Sequence, residues 1–190
     1  MERRIVHSPL FQPPLHLFSP SITGSLGNYY EWIAAGYYKS TEGSTHRGNR
    51  LIDRLRYGFD EKKFYFRAEG NFEAVRTSRE DISLVLEIQN PRSLRVVYKS
   101  GRLDVLPWKS NGAAEPMGTF LGQASHGTAA IGAVVEAGIP LEELGTRSGD
   151  FLDFAVSLRA GNEAIDRLPQ AGFITVSVPP PDFGGENWSA

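Results

Sequence analysis

The 190-residue chain has a net charge of −2, with 22% charged and 41% hydrophobic residues. That is the composition of an ordinary folded domain, without the basic excess of a nucleic-acid binder. Cysteine is absent, which excludes disulfide scaffolds, thiolate metal sites and cysteine nucleophiles.

The first stretch, "MERRIVHSPLFQPPLHLF", begins with charges. Pro9, Pro13, Pro14 and His16 then break its apolar residues apart, so it lacks the continuous h-region of a signal peptide. No later run approaches the ~18 apolar residues of a membrane span. The chain therefore reads as soluble and cytoplasmic, with no membrane or nucleic-acid partner. Residues 1–20 read as a proline-rich linker or strap rather than a packed element. Residues 21–178 form one domain, and residues 179–190 a tail packed on it.

Next comes "NYYEWIAAGYYKS", residues 28–40, with five large rings. A strand here places Tyr30, Trp32, Ala34, Gly36 and Tyr38 on one face and Tyr29, Ile33 and Tyr37 on the other. Both faces are apolar, as in a strand covered on both sides. Trp32 is then a core anchor, while Tyr29 and Tyr37 stay open as partly exposed rings.

From Leu51 onward the period is two. "LIDRLRYGF" sets Leu51, Asp53, Leu55, Tyr57 and Phe59 against Ile52, Arg54, Arg56 and Gly58. In "KFYFRAE", Phe64, Phe66 and Ala68 point inward and Tyr65, Arg67 and Glu69 outward. "ISLVLEIQ" buries Ile82, Leu84, Leu86 and Ile88, and "SLRVVYK" alternates Leu94, Val96 and Tyr98 with Arg95, Val97 and Lys99. "AAIGAVVEAGI", "FLDFAVSLRA" and "GFITVSV" are likewise strand-like. Residues 107–128 read as a long connection. In "PLEELG", Pro140, the acidic pair Glu142–Glu143 and Gly145 mark one helical turn. "GNEAIDRLP" reads as a short helical turn or a loop. Seven to ten short strands with one or two helical turns predict an all-β antiparallel sandwich of jelly-roll or immunoglobulin-like type.

No catalytic constellation emerges. His7, His16, His46 and His126 lack metal-ligand spacing, and no strand–turn–helix serine elbow is present. Asp60, Glu61, Glu136 and Asp153 have no motif that sets two carboxylates across a cleft at roughly 5–10 Å. Glu136 reads as a face charge paired with an arginine. No cofactor and no metal are expected.

Sugar binding needs a ring exposed beside hydrogen-bonding side chains, because a pyranose has an apolar face and a polar rim. Trp108, with Lys109 and Asn111 beside it in a turn-rich loop, fits that need or else caps a sheet end. Trp188, beside Glu186 and Asn187, reads first as a plug for the proline-rich tail, with ring stacking as the alternative. "HRGNR" sets His46, Arg47 and Arg50 in a loop suited to hold a carboxylate, although a solvated loop explains it as well.

Three stretches in order carry a family pattern: "ITGSLGNYYEWIAAG" (22–36), "LRYGFDEKKFYFRAE" (55–69) and "AVVEAGIPLEELGTRSGDFLDFAVSLRAG" (133–161). Together they resemble the sandwich of family-9 carbohydrate-binding modules and DOMON-like domains. With the terminal "ENWSA" they resemble more specifically the C-terminal accessory domain of family-57 glycoside hydrolases. The pattern's I-D-G turn has Thr23 in place of its aspartate. The resemblance implies a non-catalytic accessory domain of an α-glucan-active enzyme, whose catalytic barrel lies outside this chain. It implies an α-glucan or other oligosaccharide, and that barrel, as partners. A structural docking or oligomerisation domain without sugar binding is the alternative.

Overall fold

The computed structural model describes residues 10–39, 50–72, 82–107 and 123–183. Thirteen strands lie among them. The first seven are β1 (Phe11–Gln12), β2 (Gly36–Lys39), β3 (Ile52–Phe59), β4 (Lys63–Gly70), β5 (Ile82–Asn90), β6 (Leu94–Lys99) and β7 (Arg102–Pro107). They are followed by β8 (Gln123–Ala124), β9 (Thr128–Ile131), β10 (Val135–Pro140), β11 (Phe151–Ala160), β12 (Glu163–Leu168) and β13 (Ile174–Ser177). One sheet runs β1-β2-β3-β4-β10-β9 and the other β12-β11-β5-β6-β7-β8, with β13 also paired to β11. Every pairing for which a register is defined is antiparallel. The protein is an all-β sandwich, as the period-two pattern predicts.

The core lies between the sheets. Leu55, Tyr57 and Phe59 of β3 and Phe64 and Phe66 of β4 form one cluster with Leu84, Leu86 and Ile88 of β5 and Leu152, Phe154 and Val156 of β11. The Phe154 ring crosses the gap, meeting Phe64 at 4.9 Å and Tyr57 at 5.2 Å, both edge to face. Each fully buried side chain of this size contributes about 1.5–3 kcal/mol through lost apolar hydration.

Five local readings change. Strict alternation puts Ile52 outward, but the register of β3 against β4 shifts between Ile52 and Arg54. This bulge turns Ile52 into the core, 1% exposed, and leaves Asp53 in solvent. "AAIGAVVEAGI" is a hairpin of β9 and β10 rather than one strand, and "GNEAIDRLP" supplies β12 rather than a helical turn. The connection expected over 107–128 contains β8 and the start of β9, and residues 108–122 lie outside the described part. Residues 10–20 are not an unpacked strap. Phe11 and Gln12 pair with Tyr38 and Tyr37, the Leu15 N–H donates to the Ala34 carbonyl, and the Phe18 N–H to that of Phe59.

The sole α-helix among the described residues is α1 (Leu141–Leu144), preceded by Pro140 and stopped by Gly145 at φ 69°, as "PLEELG" predicts. No described helix is long and apolar enough to cross a membrane. The tail is described only to Phe183, where its N–H donates to the Pro180 carbonyl.

The largest departure concerns the aromatic run. Residues Leu26–Trp32 form a 3-10 turn, and the strand β2 begins only at Gly36. Trp32 is fully buried, as expected, but not between the sheets. It sits in a second cluster with Ala35 and Tyr65, against Phe18 and Ile22, on the outer face of the first sheet. Phe18 meets it edge to face at 5.6 Å. Tyr65 points outward from β4, opposite Phe64 and Phe66, and it is the ring of that strand on which this plug seats. Gly138, its register partner on β10, leaves the room: a Cβ there would lie 2.6 Å from the Tyr65 ring.

Candidate functional site

Two of the sequence motifs meet in space. Glu136, the second residue of β10, is completely buried. Its Oε2 accepts from the backbone N–H groups of Thr23 and Gly24, each at 2.9 Å. Its Oε1 accepts from Arg67 Nη1 at 3.0 Å and from Asn28 Nδ2 at 3.2 Å. Arg67 Nη1 also donates to Asn28 Oδ1 at 2.7 Å. The sequence reading of Glu136 as an arginine-paired charge is therefore correct, and its carboxylate also holds the loop that leads into the aromatic turn. Such buried charges persist only when paired and hydrogen-bonded.

The same loop depends on close backbone contact. Gly24 has φ 69°, and its carbonyl accepts from the Val134 N–H at 3.2 Å. A Cβ on Gly132 would lie 2.3 Å from the Gly24 oxygen. Thr23 uses its hydroxyl to accept from the Ser25 N–H at 3.2 Å, a local turn bond that side chains of this kind share. In this way the turn that carries Tyr29 is fixed to β4 and β10.

Beside that turn, the outer face of the first sheet is polar. Arg54 and Arg56 of β3 and Arg67 and Glu69 of β4 project from it. Glu69 receives Arg56 Nε at 2.7 Å, Arg67 Nε at 3.3 Å and Arg54 Nη1 at 3.7 Å. The Arg56 guanidinium lies 4.9 Å from the centre of the Tyr29 ring and donates to its hydroxyl at 3.2 Å. Tyr37 on β2 stands directly opposite Arg56 in register. Its ring has Lys39 Nζ at 5.5 Å and the Arg54 guanidinium at 6.0 Å from its centre. Cations at such distances are attracted to the ring quadrupole. An open cleft of about 980 Å³ runs across this face. It is lined by Leu26 and Tyr29 from the turn, by the polar side chains of Lys39, Asp53, Arg54, Arg67 and Glu69, and by Ala133 and Val134.

Of the residues singled out by sequence, the fold thus brings Tyr29 and Tyr37 to one face. Tyr29 is 46% exposed and Tyr37 half-buried. Trp108, Asn111, Trp188, His46 and Arg47 lie outside the described residues. Arg54, Arg56, Arg67, Glu69 and Lys39 were not singled out. Their signal was present in the outward positions of two adjacent strands, where charge recurs at every second residue.

Asp60 and Asp153 serve local bonds. Asp60 Oδ1 accepts from the backbone N–H of Lys62 and Lys63, and Oδ2 from the Tyr65 hydroxyl at 2.5 Å. Asp153 accepts from the Thr175 hydroxyl. Ser125, His126 and Glu143 do cluster, but the Ser125 hydroxyl donates to Glu143 and not to the imidazole. His126 Nδ1 lies 3.0 Å from the same carboxylate. The cluster ties the loop before β9 to α1. Among the described residues no three His, Asp or Glu side chains are grouped to hold a metal ion.

Comparison with family models, with curated proteins and with solved structures finds no match to this chain.

Proposed function

We propose that the protein is a non-catalytic accessory domain of a family-57-type α-glucan-active glycoside hydrolase, and that it binds oligosaccharide along the outer face of its first sheet. One observation carries this reading. The Tyr29 ring stands exposed at an open cleft lined also by the charged side chains of Lys39, Asp53, Arg54, Arg67 and Glu69. An exposed ring offers a stacking surface to the apolar face of a pyranose, and the arginine, lysine and carboxylate groups offer partners to its hydroxyls. The ring is also held in place, because Arg56 engages it from below and the Glu136 network anchors the turn that bears it. Little ordering entropy is then lost on binding.

A structural docking role is the second reading. Leu26, Tyr30 and Ile33, on and just after the 3-10 turn, are 64%, 81% and 61% exposed. Calorimetric titration with maltooligosaccharides of increasing length separates the two. Saturable heat supports sugar binding, and absence of heat for every α-glucan assigns the face to docking.

A further inference from the structure

We infer that the cleft selects a sugar carrying an acidic substituent, a phosphate ester or a carboxylate, over a neutral glucan. The inference rests on the sugar-binding reading of this same cleft. Its basis is an imbalance between donors and acceptors. Three cationic side chains, Lys39, Arg54 and Arg67, line the cleft with two carboxylates, Asp53 and Glu69, while Arg56 and the buried Glu136 behind them add one charge of each sign, on a protein whose overall charge is negative. Glu136 is fully buried and already accepts four hydrogen bonds, so it is closed to a ligand. Glu69 is shared among three guanidinium groups.

What remains along the cleft is rich in donors and poor in acceptors. Among the described residues, the Lys39 ammonium meets the Tyr37 ring and pairs with no carboxylate within 4.0 Å. Arg54 reaches Glu69 only at 3.7 Å and keeps a third of its side chain in solvent. Arg67 is 1% exposed and lines the cleft, yet its Nε has no aligned hydrogen-bond partner. A neutral hydroxyl both donates and accepts, so it uses such a lining poorly. Phosphate and carboxylate oxygens only accept, and they match the fork of a guanidinium. Among the described residues lining the cleft, Asp53 is the one carboxylate on an exposed residue, and it opposes an anion.

The test is titration of the full chain with maltoheptaose, with the same oligosaccharide bearing a 6-phosphate, and with one ending in glucuronate. Either acidic ligand should bind about tenfold more tightly than maltoheptaose, the scale of one charge-assisted hydrogen bond. The better of the two identifies the substituent. The advantage should shrink between about 50 and about 300 mM salt, fall in Arg54→Gln and Lys39→Gln, and grow in Asp53→Asn. Both glutamine variants alter side chains open to solvent, and unchanged melting temperatures verify their folding. Equal affinity for all three ligands, without salt dependence, overturns the inference and leaves the sugar-binding reading standing. Absence of binding by any of them removes both.

Discussion

Arg67 and Glu136 form an ion pair at 3.0 Å with side chains 1% and 0% exposed, and through it two strands of the first sheet grip the turn that presents Tyr29. A pair so deeply buried owes its place to the hydrogen bonds around its carboxylate as well as to Coulomb attraction. Removing one partner leaves the other charge stranded in a medium that solvates it badly. Glu136→Ala should therefore lower the unfolding free energy by about 3–5 kcal/mol in urea titrations. The Arg67→Met, Glu136→Leu double variant should recover much of that stability but not the fixed position of Tyr29. Its oligosaccharide affinity should stay low while its urea midpoint rises.

Gly132→Ala probes the same grip without touching a charge. The added methyl would collide with the Gly24 carbonyl, forcing two backbone segments apart, and overpacking of this kind costs about 1–3 kcal/mol. The expected result is a lower melting temperature, together with weaker oligosaccharide binding because the 23–28 loop shifts. An unchanged melting temperature would show that the two segments separate freely.

Alkaline pH reads the outer plug. Burial first, and then the hydrogen bond to Asp60, push the Tyr65 hydroxyl from 10.0 to about 12. Burial likewise holds Tyr57 well above the ordinary tyrosine range. Below pH 10 both phenols are protonated in folded and unfolded chains, and their contribution to stability is fully present. As pH rises from about 10 to about 12, the unfolded chain ionises first, so stability falls. Urea midpoints across that window should decline, and Tyr65→Phe should make the decline shallower.

Much of the sandwich was legible in the sequence, because a strand with one buried face writes its period directly into the chain. Phe64, Phe66 and Ala68 against Tyr65, Arg67 and Glu69 illustrate it, as does the Pro140–Gly145 frame around α1. The failures have physical causes. A bulge at Asp53 adds one residue to β3 and flips Ile52 inward, and period-two counting cannot see it. The aromatic run 28–38 imitates a strand because it is apolar on both faces. Its apolarity instead serves a 3-10 turn plugged by Trp32 onto the outside of the first sheet. Loop context in the sequence singles out Trp108 and Trp188 as the rings beside polar side chains. The cleft beside Tyr29 depends on Glu136, more than a hundred residues away from the loop it holds. No local pattern announces such a contact.

The central claim is that Tyr29 and Tyr37 face a sugar. The direct measurement is maltoheptaose affinity, by calorimetry, for the wild type, Tyr29→Ala, Tyr37→Ala and Trp108→Ala. Truncating an aromatic anchor at a binding surface commonly costs more than about 1–2 kcal/mol. Tyr29→Ala should thus weaken binding by about tenfold or more, and Tyr37→Ala by less because its ring is half-buried beneath Lys39 and Arg54. Wild-type affinity in both tyrosine variants, with binding lost in Trp108→Ala, would contradict the account and move the sugar away from the outer face of the first sheet.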